Sequence, residues 1–304
     1  MVSEEWGANA KITECLVLIT ELFLYRDLYK IKKRSGMKKN NLRELLNNGK
    51  PTLGVHQVTV SPIITEVIGN SGGFDYIELV GEYADWNLKD LNNFARTVEL
   101  FPAMSSMMKV EWEPRVFITS RALDAGIQNM LFTDCHSAEE VRQCIRAVRA
   151  ETPEDGGIHG ASLRRSVGFV VEAGSEAWVQ AQRDTVCAFM IEKKIAMDNL
   201  DEILEVKGVD MVQFGPGDYS VTIGKGFDMQ KGMLPEVDRA QRDMIEKALK
   251  KGVHPRVELG NFEAAREYIA MGVRHFCIGW DVVAVHQWCK QNGDGLRQLL
   301  AELK

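Results

Sequence analysis

Glu192 and Asp218 each follow an apolar run of strand character, and that placement is the first sign of chemistry in the chain. Glu192 is the first charge after the run 186–191, and Asp218 ends the turn Gly215-Pro216-Gly217-Asp218 that follows the run 209–214. Continuous apolar runs of this length read as buried parallel strands, so both carboxylates stand at strand C-terminal ends. Between them Met197, Leu200, Ile203 and Leu204 have helical spacing, and Gly208 stops that helix. Strand ends converge in a parallel barrel or open sheet, so the two carboxylates could share one hard divalent ion, Mg²⁺ or Mn²⁺, with Co²⁺ a further candidate. The turn glycines would let backbone approach a ligand closely. The plainer alternative is a helix-entry charge and a turn aspartate.

Such strand ends need a sheet to hold them. Strand-like runs occur at 53–58, 75–80, 105–110, 128–133, 186–191, 209–214, 253–257 and 274–278. Helical stretches at 62–70, 90–100, 116–125, 138–150, 197–206, 236–250 and 261–271 fill the intervals. Alternation of this kind is the mark of an α/β fold, and eight repeats predict a (β/α)₈ TIM barrel over residues 37–304. An open doubly wound sheet is the rival, but no Gly-rich phosphate loop follows the first strand. Barrel chemistry comes from strand C-terminal ends, which here offer His56 and Gln57, Glu82 and Tyr83, Lys109 and Glu111, Glu192, Asp218, and Gly279-Trp280-Asp281. Each also has a structural reading, as a core histidine, a solvated lysine or a rim aromatic. The polar segment 151–166 is a candidate binding loop, through His159, Arg164 and Arg165, or a solvated one. Residues 287–304 read as a closing helix that covers the barrel or a neighbouring subunit.

At 304 residues, 45% hydrophobic and 26% charged, the chain can bury a full core. Thirty-seven basic against 43 acidic residues leave a formal charge of −6. That balance argues against nucleic acid or an anionic membrane as partner and favours a small molecule. Six cysteines without CxxC spacing suit a reducing, cytoplasmic setting. Residues 1–36 form an N-terminal helical extension with a broad apolar face, interrupted by Glu14, Glu21, Arg26 and Asp27 and therefore not a membrane span. It either packs on its own domain or serves a partner or an oligomer.

Further motifs are Ser61-Pro62, Gly73-Phe74-Asp75-Tyr76 followed by Gly81-Glu82, Trp112 with Leu123-Asp124-Ala125-Gly126, and Gly208-Val209-Asp210 ahead of the GPGD turn. With Ile191-Glu192 they make residues 41–304 resemble the HpcH/HpaI family of metal-dependent, pyruvate-releasing aldolases, as a divergent member. The resemblance implies that Glu192 and Asp218 hold the ion and that backbone amides at Gly217 and Asp218 bind the pyruvate carboxylate. It also implies a homo-oligomer, the family habit being a hexamer. Three positions depart from the pattern: Tyr83 replaces the histidine base, Lys109 replaces an arginine, and Met190 replaces a glutamine. Asp124, which partners the family histidine, is kept.

These observations together predict a lyase that cleaves or forms a C–C bond of a 2-oxo acid through a metal-stabilised pyruvate-type enolate. Lys109 would hold negative charge, with Gln57 and Trp280 against the substrate. A tyrosine, with its reference pKa of about 10, is a poor base, whereas imidazole titrates near neutral pH. His56 is therefore the candidate substitute base, with Tyr83 as the other proton carrier. The alternatives are the same enolate chemistry used for decarboxylation or C–C bond-forming synthesis, Schiff-base chemistry at Lys109 or Lys193, or a non-catalytic barrel that binds metal and oxo acid.

Overall fold

Strands buried on both faces must pair with strands on both sides, and eight apolar runs satisfy that demand by closing on themselves. The computed structural model describes residues 37–228 and 232–303, so the expected N-terminal helix lies outside the described residues. In chain order the elements are α1 (Asn41–Asn47), β1 (Thr52–Gln57), α2 (Pro62–Ser71), β2 (Tyr76–Val80), α3 (Leu88–Val98), β3 (Ser105–Val110), α4 (Arg115–Ala125) and β4 (Asn129–Phe132). There follow α5 (Ala138–Val148), α6 (Glu176–Asp184), β5 (Cys187–Ile191), α7 (Lys194–Asp198), α8 (Leu200–Leu204), β6 (Met211–Phe214) and α9 (Pro216–Thr222). The chain ends with α10 (Pro235–Lys251), β7 (His254–Leu259), α11 (Ala265–Ala270), β8 (His275–Trp280) and α12 (Asp281–Ala301). Every strand pairs in parallel with the next, and β8 pairs with β1 to close the (β/α)₈ barrel.

Three details differ from the sequence expectation. The stretch 197–206 is two short helices rather than one, broken at Asn199, whose side chain donates to the His136 carbonyl at 2.8 Å. The GPGD turn opens α9, where Pro216 in the first turn supplies a φ already suited to a helix. The final helix begins at Asp281, and none of its residues is buried, so of the two expected roles, covering the barrel or covering a neighbouring subunit, the single chain does not show the first.

Two apolar layers hold the barrel. Outward strand residues pack under the helices, while Tyr76, Met107, Leu131, Ala188, Met190 and Met211 fill the interior. Leu42 and Leu46 of α1 join that interior cluster and plug the N-terminal end. Arg43 fixes the plug by a forked pair with Asp210 at 2.7 and 2.6 Å, the bidentate geometry that guanidinium and carboxylate share. The N-terminal end is thus sealed, leaving the opposite end for chemistry.

Tyr76 crosses the interior over Gly54, where an added Cβ would lie 2.3 Å from the tyrosine ring. Gly54→Ala is expected to destabilise the fold by about 1–3 kcal/mol, the usual range for overpacking. Urea denaturation of the variant checks this, and Tyr76→Leu in the same chain should restore part of the loss.

Candidate active site

The open end of the barrel is lined by an acidic rim. Glu192, one residue past β5, is buried, and its Oε1 accepts the Asp134 amide at 3.0 Å. Lys193 ties the rim together, its Nζ lying 2.8 Å from Asp134 Oδ1 and 2.7 Å from Asp218 Oδ1. Gly215 is required beside Glu192, because a Cβ there would stand 2.5 Å from the Glu192 Cβ and 2.8 Å from its Oε2. Burial pushes the Glu192 carboxyl up to about 7; Lys109 and the Asp134 amide oppose the rise, while Asp134 and Asp218 add to it.

A desolvated carboxylate beside another carboxylate is an arrangement that a cation relieves. Among the described residues no group of three or more His, Cys, Asp or Glu could hold a metal ion alone. The two oxygen donors Glu192 and Asp218 fit an ion such as Mg²⁺, which completes its shell with water and substrate oxygens.

Facing this rim is Lys109 of β3, whose Nζ is 2.6 Å from Glu82 Oε2 and 4.9 Å from the Tyr83 ring centroid. Burial opposes its charge, but Glu82, Glu192 and Tyr83 carry its pKa above the ordinary lysine value. Lys193 moves the same way, Asp134 and Asp218 outweighing burial. A Schiff-base lysine needs a lowered pKa, so both ammonium groups count against that alternative. The Tyr83 phenol is raised by burial, with Lys109 opposing, which leaves it protonated at neutral pH.

Behind the mouth lies a buried ion set. Glu78 of β2 takes Arg256 Nη2 at 2.6 Å on one oxygen and His56 Nδ1 at 3.1 Å on the other. Burial would raise Glu78, yet Arg256, His56 and Lys109 bring it down to about 2. Burial would likewise lower His56, but the Cys277 sulfur and the Glu78 carboxylate raise it to about 10. The ion pair with Glu78 thus favours the imidazolium form, which speaks against the expected role of His56 as the base. Trp280 stacks on it at 4.6 Å between centroids, and its Nε2 lies 3.6 Å from Glu258 Oε2.

Other expected site residues are placed elsewhere. Gln57 points away from the mouth, donating to the Thr59 and Ser61 carbonyls at 2.6 and 3.2 Å and accepting from Thr65 Oγ1 at 2.9 Å. It anchors the start of α2 and is not a substrate contact. Asp124 lies in α4 and meets Ser162 Oγ at 2.8 Å, His159 Nε2 at 3.6 Å, and Arg121 and Arg164 at 3.3 Å each. Within the chain it has no contact with Tyr83. Arg165 pairs with Glu99 and the Ala125 carbonyl on the same flank, so segment 151–166 braces the outer helices rather than lining the mouth. Asp281 accepts from Val58 N, Thr59 N and Thr59 Oγ1, locking the loop after β1 to the end of β8.

Tyr83, Trp280, Lys109, Glu192, Gly217 and Asp218 do gather at the open end, with Tyr83 and Trp280 6.1 Å apart. Sequence reading missed Asp134, Glu78, Arg256 and Glu258. Asp134, as the first charge past β4, followed the same strand-end rule that picked Glu192.

His56 gives a test of the buried set. Its folded pKa is raised from 6.5 to about 10, so the stabilisation it brings is full below the unfolded value and is lost as pH rises through 10. His56→Gln should therefore melt well below wild type at pH 6, with the gap closing toward pH 10. Thermal melts of both proteins across that range check it.

Comparisons with known proteins place the chain in a family. The family model described as HpcH/HpaI aldolase/citrate lyase matches residues 90–286. A 4-hydroxy-2-oxo-heptane-1,7-dioate aldolase of Klebsiella pneumoniae is 29% identical over 243 residues, spanning 80% of this chain and 88% of that protein. Among solved structures, citrate synthase SbnG aligns with a TM-score of 0.75 at 21% identity, over 87% of this chain and 100% of its own. A citrate lyase β subunit complexed with oxaloacetate and magnesium, from M. tuberculosis, aligns at 0.51 and 14% identity, over 78% and 93%. The matched model covers most of the barrel, including both carboxylates at the strand ends. The chain belongs to the HpcH/HpaI aldolase/citrate lyase family.

Proposed function

We propose that the protein is a metal-dependent carbon–carbon lyase of a 2-oxo acid, passing through a pyruvate-type enolate. The observation that carries this reading is the pair Glu192 and Asp218 at the ends of neighbouring strands, facing the Lys109 ammonium that Glu82 holds by an ion pair. Glu192 and Asp218 would hold the divalent ion, Mg²⁺ or Mn²⁺, consistent with the magnesium named for the citrate lyase relative. When bound there, such an ion polarises the 2-oxo group as a Lewis acid. The amides of Gly217 and Asp218 lie in the first turn of α9, ahead of the bond from Tyr219 N to Gly215 O, and would receive the carboxylate.

Lys109 then holds the negative charge that develops on the oxo oxygen as the C–C bond breaks. Because Glu82 and Glu192 keep it protonated, it does this without a competing loss of its own charge. Proton movement falls to the pair beside it, with the Glu82 carboxylate as acceptor and the Tyr83 phenol as donor. A second reading, synthesis instead of cleavage, uses the same groups in reverse and is favoured by the likeness to citrate synthase.

The substrate named for the relatives supports a small 2-oxo acid as the partner. The exposed apolar residues Trp288, Leu296, Leu299 and Leu300 of α12 support a homo-oligomer, for which we propose the family's hexamer. Among the described residues no helix is long and apolar enough to cross a membrane. The free cysteines suit the cytoplasm that we assign to it.

Glu192→Gln and Asp218→Asn should lose Mn²⁺ binding by calorimetry while keeping the wild-type circular dichroism. Lys109→Met should keep Mn²⁺ binding and lower kcat for pyruvate release by ~10²–10³, the scale of losing one stabilising donor. Unchanged Mn²⁺ affinity in both folded carboxylate variants would overturn the proposal.

A further inference from the structure

Next to the acidic rim, the wall of the mouth is built from β7, β8 and β1, with Gln213 of β6 at its edge, and it carries the partly exposed carboxylate of Glu258. Glu258 of β7 accepts Trp280 Nε1 at 2.8 Å on Oε1 and Gln213 Nε2 at 3.2 Å on Oε2, with His56 Nε2 3.6 Å from the second oxygen. Three side chains from three strands thus fix its orientation. Its side chain is 35% exposed, whereas those of His56, Glu78 and Arg256 behind it are 2%, 0% and 0% exposed.

The formal charges of these four groups cancel: Arg256 and His56 against Glu78 and Glu258. At the partly exposed Glu258, direct contact decides what fits. A carboxylate only accepts hydrogen bonds. The buried Gln213 Oε1 is also an acceptor, and among the described residues it has no hydrogen-bond partner. Of the two, the Glu258 carboxylate is the accessible one, so a ligand end that reaches this wall is met by an acceptor.

The wall is continuous with the oxo-acid end of the mouth. Trp280 lies 6.1 Å from Tyr83, whose ring lies 4.9 Å from Lys109 Nζ. A chain held at Lys109 by its oxo-acid head runs past these two aromatic faces towards Glu258.

We propose that Glu258, Trp280 and Gln213 form a subsite for the far end of the 2-oxo acid, selecting a hydrogen-bond donor such as a hydroxyl or ammonium group and rejecting a second carboxylate. This rests on the oxo-acid reading above. It gives the protein a substrate class different from the two-carboxylate acid named for its relatives. A far carboxylate would set two like charges in contact where the indole and amide donors are already taken by Glu258, whereas a hydroxyl would find an acceptor those donors have aligned.

Calorimetry on the full chain with Mn²⁺ tests it using three probes: pyruvate, 2-oxoheptane-1,7-dioate and 7-hydroxy-2-oxoheptanoate. The expected result is that the hydroxy acid binds at least tenfold tighter than the dioate. Glu258→Gln should bring the two within about threefold, mainly by tightening the dioate, since an amide can donate to a carboxylate. Equal affinities in the wild type, or a preference for the dioate, overturn the subsite while pyruvate binding leaves the oxo-acid reading standing. Failure of pyruvate itself to bind overturns that reading and the subsite with it. Should Glu258→Gln not fold, the wild-type comparison decides alone.

Discussion

One carboxylate, Glu78, sits at the centre of the barrel with no exposure and holds a guanidinium on one oxygen and an imidazolium on the other. Removing either partner of such a buried pair leaves an uncompensated charge, at a typical cost of about 3–5 kcal/mol. The arrangement reaches beyond stability. Because Glu78 favours the charged form of His56, His56 serves as a cation under Trp280 and beside Glu258 and is a poor proton acceptor at neutral pH. The mouth is thereby divided. Its β7–β8–β1 side is a preorganised polar wall, and its β2–β3–β5–β6 side carries the groups suited to reaction.

The reactive side is under electrostatic tension that the chain alone only partly relieves. Glu192 is desolvated and crowded by Asp134 and Asp218, and Lys193 lies across the two aspartates as a local cation. A divalent ion at Glu192 and Asp218 would meet that demand directly, and the strict need for glycine at 215 shows how closely backbone and carboxylate are packed there. Lys109 completes the balance from the other side, its charge secured by Glu82. Positive charge is thus in place before any substrate arrives, which is what electrostatic preorganisation requires.

Much of the fold was legible because buried strands announce themselves locally. Each of the eight apolar runs became a strand within a few residues of its expected ends, and Glu192 and Asp218 were found because a charge that ends such a run sits at the barrel's open end. Charges inside the runs were harder. Glu78 and Arg256 make sense only through partners on distant strands, and the state of His56 follows from those partners and not from its reference pKa. Gln57 could have been placed correctly, since side chains alternate along a strand and an inward His56 turns its neighbour outward. Asp124 is different: it lies on a helix, and no strand-end rule applies to it.

The account stands or falls on enolate formation at the acidic rim. The most direct measurement is deuterium uptake into the methyl group of pyruvate in D₂O, followed by proton NMR with Mn²⁺ and then with excess EDTA. The account predicts metal-dependent uptake that is abolished in Asp218→Asn and strongly reduced in Lys109→Met. Uptake that persists in EDTA or in Asp218→Asn, or its absence when Mn²⁺ and pyruvate are both bound, would contradict it.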